Sequence, residues 1–328
     1  MRPGSPALDR FRLLAAVLVV AVHTSPLTTY SVLGDFWLTR VLGRVAVPFF
    51  LMVTGHFLAE NGWRNTWTFW KKTALLYGLC ILLYLPLNLY AGQLDGDFLR
   101  LLVTDGTFYH LWYFPALILG ACIVWALVRG LGRWAWIPAG LLYVLGVLGD
   151  SWYGLTAALP PLRAAYEAMF LCFDYTRNGL FSVPIFLLLG GRLAGRPRRH
   201  GAPACGALLL LSMALLTGEG LLVKALELPR FDALYFSLPL CVGFLLLWLA
   251  ALELPPVPAL RGWTAAVYIL HPWCIVLVRG GAEVLGLEGP LVENSMGHFL
   301  AVLASSAAAS WALWLAWSRR PLKRSNKG

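Results

Sequence analysis

The sequence predicts an all-α fold, a polytopic membrane helical bundle with about ten transmembrane helices and both termini in the cytoplasm. Three observations carry that prediction. Of 328 residues, 59% are hydrophobic and only 13% charged, about half the charge of a soluble domain. Apolar runs of membrane-crossing length recur from end to end. The connections between them alternate in charge, and 18 of the 26 basic residues fall on one side: Arg2, Arg10 and Arg12, Arg64-Lys71-Lys72, Arg129-Arg133, Arg192 to Arg199, Arg261 and the tail. The positive-inside rule places that side, with both ends of the chain, in the cytoplasm. Residues 1–328 read as a single membrane domain, without repeats or a soluble module.

Hydropathy places the spans at about 9–29, 45–62, 73–92, 111–128, 134–149, 179–193, 203–219, 235–251, 263–279 and 297–317. The first is the apolar run Leu13–Val22, framed by Arg12 and His23. At about 100° per residue the frame closes to within ~20° of whole turns. The two side chains therefore share one helix face roughly 16 Å apart, one at the membrane surface and one near mid-bilayer. Pro26 follows His23-Thr24-Ser25 in place of a small-x-small cleavage site, so the segment reads as a span and not a cleaved signal.

The second span opens on Arg44-Val-Ala-Val-Pro48-Phe49-Phe50. Pro48 frees a backbone carbonyl, and Gly55 permits close helix approach. The third follows Lys71-Lys72, and the fourth starts with His110-Leu-Trp-Tyr-Phe-Pro at its outer rim. The fifth and sixth are short and broken by Gly and Pro, with the longest outer connection between them, about 149–178. Uninterrupted apolar runs define the seventh and eighth. The ninth carries Tyr268-Ile-Leu-His271-Pro272, with Tyr268 and His271 on one face, and the tenth precedes a basic tail.

Each candidate side chain has two readings. His23 is a general base near working pH or a buried polar group bonding a neighbouring helix. Arg12 binds phosphates of a cytosolic donor or snorkels to the interface. Arg44 lines a polar cavity or sits among outer headgroups. His110 contacts an acceptor arriving from outside or belongs to the interface. Tyr268 and His271 serve the site or pack helices. The six cysteines lack metal-type spacing and read as small hydrophobes, so no metal is expected. The basic residues do not gather on a folded soluble face, so nucleic acid is not an expected partner.

Taken together, the four landmarks Arg12-(ten residues)-His23, Arg44-V-A-V-Pro48-F-F, His110-L-W-Y-F-P and Tyr268-I-L-His271-P resemble acyltransferase family 3, the integral-membrane acyltransferases. The resemblance covers essentially the whole chain. It implies movement of an acyl group, often acetyl, from cytosolic acyl-CoA as co-substrate to a hydroxyl of a glycan or related acceptor across the bilayer. On that mapping His23 is catalytic base or transient acyl carrier, and Arg12 and Arg44 bind the donor. His110, Tyr268 and His271 contact the acceptor or support the site. The stretch Tyr175-T-R-N-G-L-F-S-V-P-I-F-L-L-L-G and Tyr268-I-L-His271-P look especially like the membrane half of the vancomycin-resistance serine racemases, which is associated with supplying L-serine. This sequence ends at RRPLKRSNKG, so racemase activity is not carried over. A transport or substrate-delivery module without acyl chemistry is therefore the second reading.

Overall fold

The computed structural model describes residues 6–94, 96–193, 201–255 and 261–318; among them all regular structure is helical and no strand occurs. The main helices are α1 (Pro6–Thr24), α2 (Ala46–Glu60), α3 (Thr66–Tyr90), α4 (Tyr113–Leu131), α5 (Trp136–Leu148), α6 (Val183–Leu193), α7 (Ala202–Ala225), α8 (Leu238–Ala251), α9 (Arg261–Leu285) and α10 (Ser295–Ser318). A helix occupies each interval that hydropathy selects. Six helical segments among the described residues are long and apolar enough to cross a membrane: Val32–Glu60, Thr66–Tyr90, Tyr113–Trp134, Ala202–Ala225, Gly262–Leu285 and Ser295–Ala316. Helices α5, α6 and α8 are apolar but shorter, and α1 carries Asp9, Arg10 and Arg12 in its first turns. Of the basic residues used for orientation, Arg2, Arg196, Arg198, Arg199 and those of 319–328 lie outside the described residues.

Two boundaries differ from expectation for local reasons. Helix α1 stops at Thr24, not near residue 29, because Ser25 turns into the left-handed region (φ 49°) and Pro26 brings no N–H to continue the ladder. His23 thus occupies the last turn of the helix rather than its middle. The second helical run starts earlier than expected. Ser31 caps it by accepting from Gly34 N at 3.0 Å, and the chain passes through a wide π turn (Trp37–Val41) and a tight 3-10 turn (Leu42–Val45) into α2. Arg44 therefore lies inside the run Val32–Glu60, not at its outer start.

The pattern of burial is that of a protein whose solvent is lipid. Helix α3 turns Thr73, Tyr77, Cys80, Tyr84 and Asn88 inward and leaves Leu75, Leu79 and Leu82 exposed on the other face, each above 50%. A soluble helix does the reverse. The chain is a multi-pass membrane protein.

The chain divides into two compact units. The first comprises Arg40–Glu253, and α6 is its centre, packing on α2, α4, α5 and α8. A Cβ on Gly55 of α2 would fall 2.0 Å from the Leu187 carbonyl oxygen, and one on Gly190 of α6 would fall 1.9 Å from that of Met52. The two backbones touch, as the small residue at Gly55 led one to expect. The second unit joins Gly4–Thr39 to Leu254–Gly328; here α1, α9 and α10 pack around Ala16, Val20, Val267, Cys274, Ile275 and Val302.

Candidate active site

In the second unit α1 and α9 bring two of the sequence-selected histidines together. The rings of His23 and His271 stack with centroids 5.1 Å apart and planes inclined by 28°. The arrangement begins with Pro272. Lacking an N–H, it cannot bond the carbonyl four residues earlier, which is that of Tyr268. His271 takes the vacancy: its Nδ1 lies 2.8 Å from Tyr268 O and 3.3 Å from Val267 O. A carbonyl only accepts, so Nδ1 carries the proton in the neutral ring and Nε2 carries the lone pair. His271 is fully buried, whereas His23 is half-buried. The Tyr268 ring lies 6.1 Å from that of His271.

The turn after His23 is held by a polar latch. Ser295 Oγ donates to Pro26 O at 2.8 Å, accepts from Thr29 N at 3.2 Å and meets Thr29 Oγ1 at 2.8 Å. Asn294 Nδ2 donates to Tyr30 Oη at 2.9 Å, and Asp35 Oδ1 accepts from Leu27 N at 2.9 Å. Those bonds tie the chain just after the helix end to the start of α10 and to Asp35.

Arg12 is buried and forms an ion pair with Asp9, one turn earlier on α1. Leu13, the next residue, starts an apolar groove of about 340 Å³ lined also by Ala16, Val17, Trp263, Val267 and Leu303. Val267 is one turn before His271, so the groove runs along α1 from the level of Arg12 towards the paired rings.

The other two selected residues belong to the first unit. Arg44 is half-buried and its Nε makes no hydrogen bond. His110 is fully buried among Tyr84, Phe108 and Tyr109, whose ring centroids lie 4.6, 5.8 and 5.7 Å away. That aromatic enclosure packs ring faces around His110.

Sequence reasoning missed Asp9, although its i,i+3 spacing to Arg12 was a readable signal. It also missed Ser295 and the pair Asp150 and Arg177, which only the tertiary fold brings into relation with their partners. Among the described residues, no three His, Cys, Asp or Glu side chains gather in a way that would hold a metal.

A helical membrane protein with a stacked imidazole pair defines a broad class. Comparison narrows it. A family profile described as an acyltransferase domain matches residues 5–315, and the chain belongs to that family, acyltransferase family 3. Curated relatives include two amino-acid racemases of Enterococcus faecalis. One is 38% identical over 314 residues, 91% of this chain and 43% of the relative. The other is 35% identical over 324 residues, covering 93% and 45%. A serine/alanine racemase of Enterococcus gallinarum is 33% identical over 315 residues, covering 90% and 44%. The chain spans less than half the length of these curated relatives. No solved structure matches it.

Proposed function

We propose that residues 1–328 form a single membrane O-acyltransferase domain, with both termini cytoplasmic and ten crossings. It moves an acyl group, acetyl in the simplest case, from cytosolic acyl-CoA to a hydroxyl of a glycan-type acceptor across the bilayer. The observation that carries this reading is the half-buried His23 ring stacked on a neighbouring imidazole whose tautomer is fixed by a proline-freed carbonyl.

The chemistry follows from that geometry. His23 takes the proton of the acceptor hydroxyl as its oxygen attacks the thioester carbonyl. The C–S bond breaks, and the imidazolium returns the proton to the departing thiolate. The same ring can instead receive the acyl group first and hand it to the acceptor. Stacking disfavours a second positive charge beside the first, so His271 stays neutral and orients the ring that works. Arg12 meets donor phosphates by exchanging its Asp9 partner for them. The groove beginning at Leu13 offers an apolar path for the donor's arm towards His23.

The test is transfer of labelled acetyl from acetyl-CoA to added glycan by the purified protein. His23→Ala should lower transfer by about 10²–10⁴-fold while coenzyme binding survives. Transfer at the wild-type rate by that variant overturns the assignment.

A second reading is favoured by the relatives, which bear the names of amino-acid racemases and are more than twice as long as the matched region. In it the membrane domain delivers a small amino acid such as L-serine without acyl chemistry. Uptake of labelled L-serine into proteoliposomes lacking any coenzyme separates the two readings.

A further inference from the structure

The first unit holds two arginines that its own residues leave uncompensated. Asp150, in the turn after α5, is fully buried. Its Oδ1 accepts from Ala233 N at 2.7 Å and Leu234 N at 2.9 Å, while Oδ2 makes no hydrogen bond. Tyr235 follows directly and donates its hydroxyl to Arg40 O at 2.8 Å; Arg44 stands one helical turn beyond Arg40. Thr176 Oγ1 donates to Gly146 O at 2.8 Å, which sets Arg177 beside the end of α5. Hydrogen bonds thus converge Arg44, Arg177 and Asp150 on one region, and each arginine feels the charge of Asp150.

Neither guanidinium completes an ion pair or a hydrogen bond to any described residue, and the Nε of each is buried and unpartnered. Both residues retain partial exposure. Arg177 is stabilised by ring faces instead, its guanidinium carbon 4.5 Å from the Tyr175 centroid and 5.1 Å from that of Trp112. Ring faces support a cation without consuming its N–H donors. Other acids nearby are already engaged. Asp105 stands 3.6 Å from Arg100 and accepts from Asp174 N. Glu219 accepts from Trp152 Nε1, Phe236 N and Ser237. Arg40 is exposed on the surface.

We propose that Arg44 and Arg177 form a second ligand site, for a molecule carrying a single negative charge on an oxyanion group, either a carboxylate or a phosphodiester. Two guanidiniums against one carboxylate leave one positive charge to be matched, and a polyphosphate would also meet the Asp150 oxygen as a repulsive neighbour. The fork geometry of arginine suits the paired oxygens of both groups. The site does not depend on acyl transfer at His23, and its test reads binding alone.

The experiment is calorimetric titration of the full chain in detergent at pH 8 with glycolate, dimethyl phosphate, inorganic phosphate and coenzyme A. Saturable binding of glycolate or dimethyl phosphate is expected, and the one that binds names the source. Arg177→Gln should weaken it by about tenfold or more, the loss of a charge-assisted contact. Arg177→Lys should recover part of the affinity, and serves as the informative variant if the glutamine form does not fold. Exposed Arg129→Gln should change nothing. Asp150→Asn, which keeps the Oδ1 acceptor, should move the preference about tenfold towards inorganic phosphate. The proposal fails if the folded wild type binds neither small anion, if Arg129→Gln and Arg177→Gln act alike, or if coenzyme A binds tightest through Arg177 and Asp150→Asn alters nothing.

Discussion

The two units neutralise their buried polar groups in opposite ways. In the unit of the imidazole pair two buried groups are answered locally: Arg12 by Asp9 on the same helix face, and His271 by a carbonyl of its own helix. In the arginine-bearing unit Asp150 spends one oxygen on backbone and leaves the other open, while Arg44 and Arg177 stay outside any ion pair. The first arrangement matches its buried charge within a single helix. The second is unfinished, because burying unmatched charge costs several kcal/mol.

The largest test of the contrast is His23→Ala, for which acetyl transfer should fall by about 10²–10⁴-fold with anion binding by the other unit unchanged, measured by label transfer and calorimetry on one preparation. Next comes Asp150→Ala. It strands the N–H groups of Ala233 and Leu234 and should cost about 3 kcal/mol, seen as a lowered midpoint in thermal unfolding, with Asp150→Asn much milder. Acidity sharpens the same point. Burial pushes the Asp150 carboxyl up to about 7 from 3.8, ahead of the opposing backbone hydrogen bonds and the two arginines. Between those values the unfolded chain has already lost the proton that the folded chain keeps, so stability should fall as pH rises through that window and level off above it. The aspartate-to-asparagine variant should flatten that slope. Pro272→Ala restores an N–H to compete for the Tyr268 carbonyl. It should cut transfer about tenfold by freeing the His271 tautomer, roughly 1.4 kcal/mol, with little change in melting. Smallest is Ser295→Ala, worth about 1 kcal/mol of stability through the lost latch at Pro26 and Thr29.

Much of the architecture was legible from hydropathy, because alternating lipid-facing and inward faces leave a strong imprint on composition. Landmark spacing also brought out His23 and His271 as candidates, and the structure stacks them. The misses share a physical cause. Helix α1 ends where Ser25 adopts a left-handed backbone, and α2 is preceded by turns that hydropathy does not distinguish from loop. Arg44 consequently appeared peripheral. His110 looked accessible because its neighbours in sequence are interfacial aromatics, yet Tyr84 from a different helix closes over it. Asp150 and Arg177 carry no local signature at all; their relation exists only through hydrogen bonds that span 83 or more positions or reach from the segment before α6 to the end of α5.

The contact of Gly55 with Leu187 and of Gly190 with Met52 has a mechanical corollary. With no side chain to act as a bearing between them, α2 and α6 cannot slide or part without losing backbone packing along the whole seam. They must travel as one rigid strut. Any rocking or gating within the Arg40–Glu253 unit has to pivot at the margins of that strut, and cross-linking the two helices should leave turnover untouched.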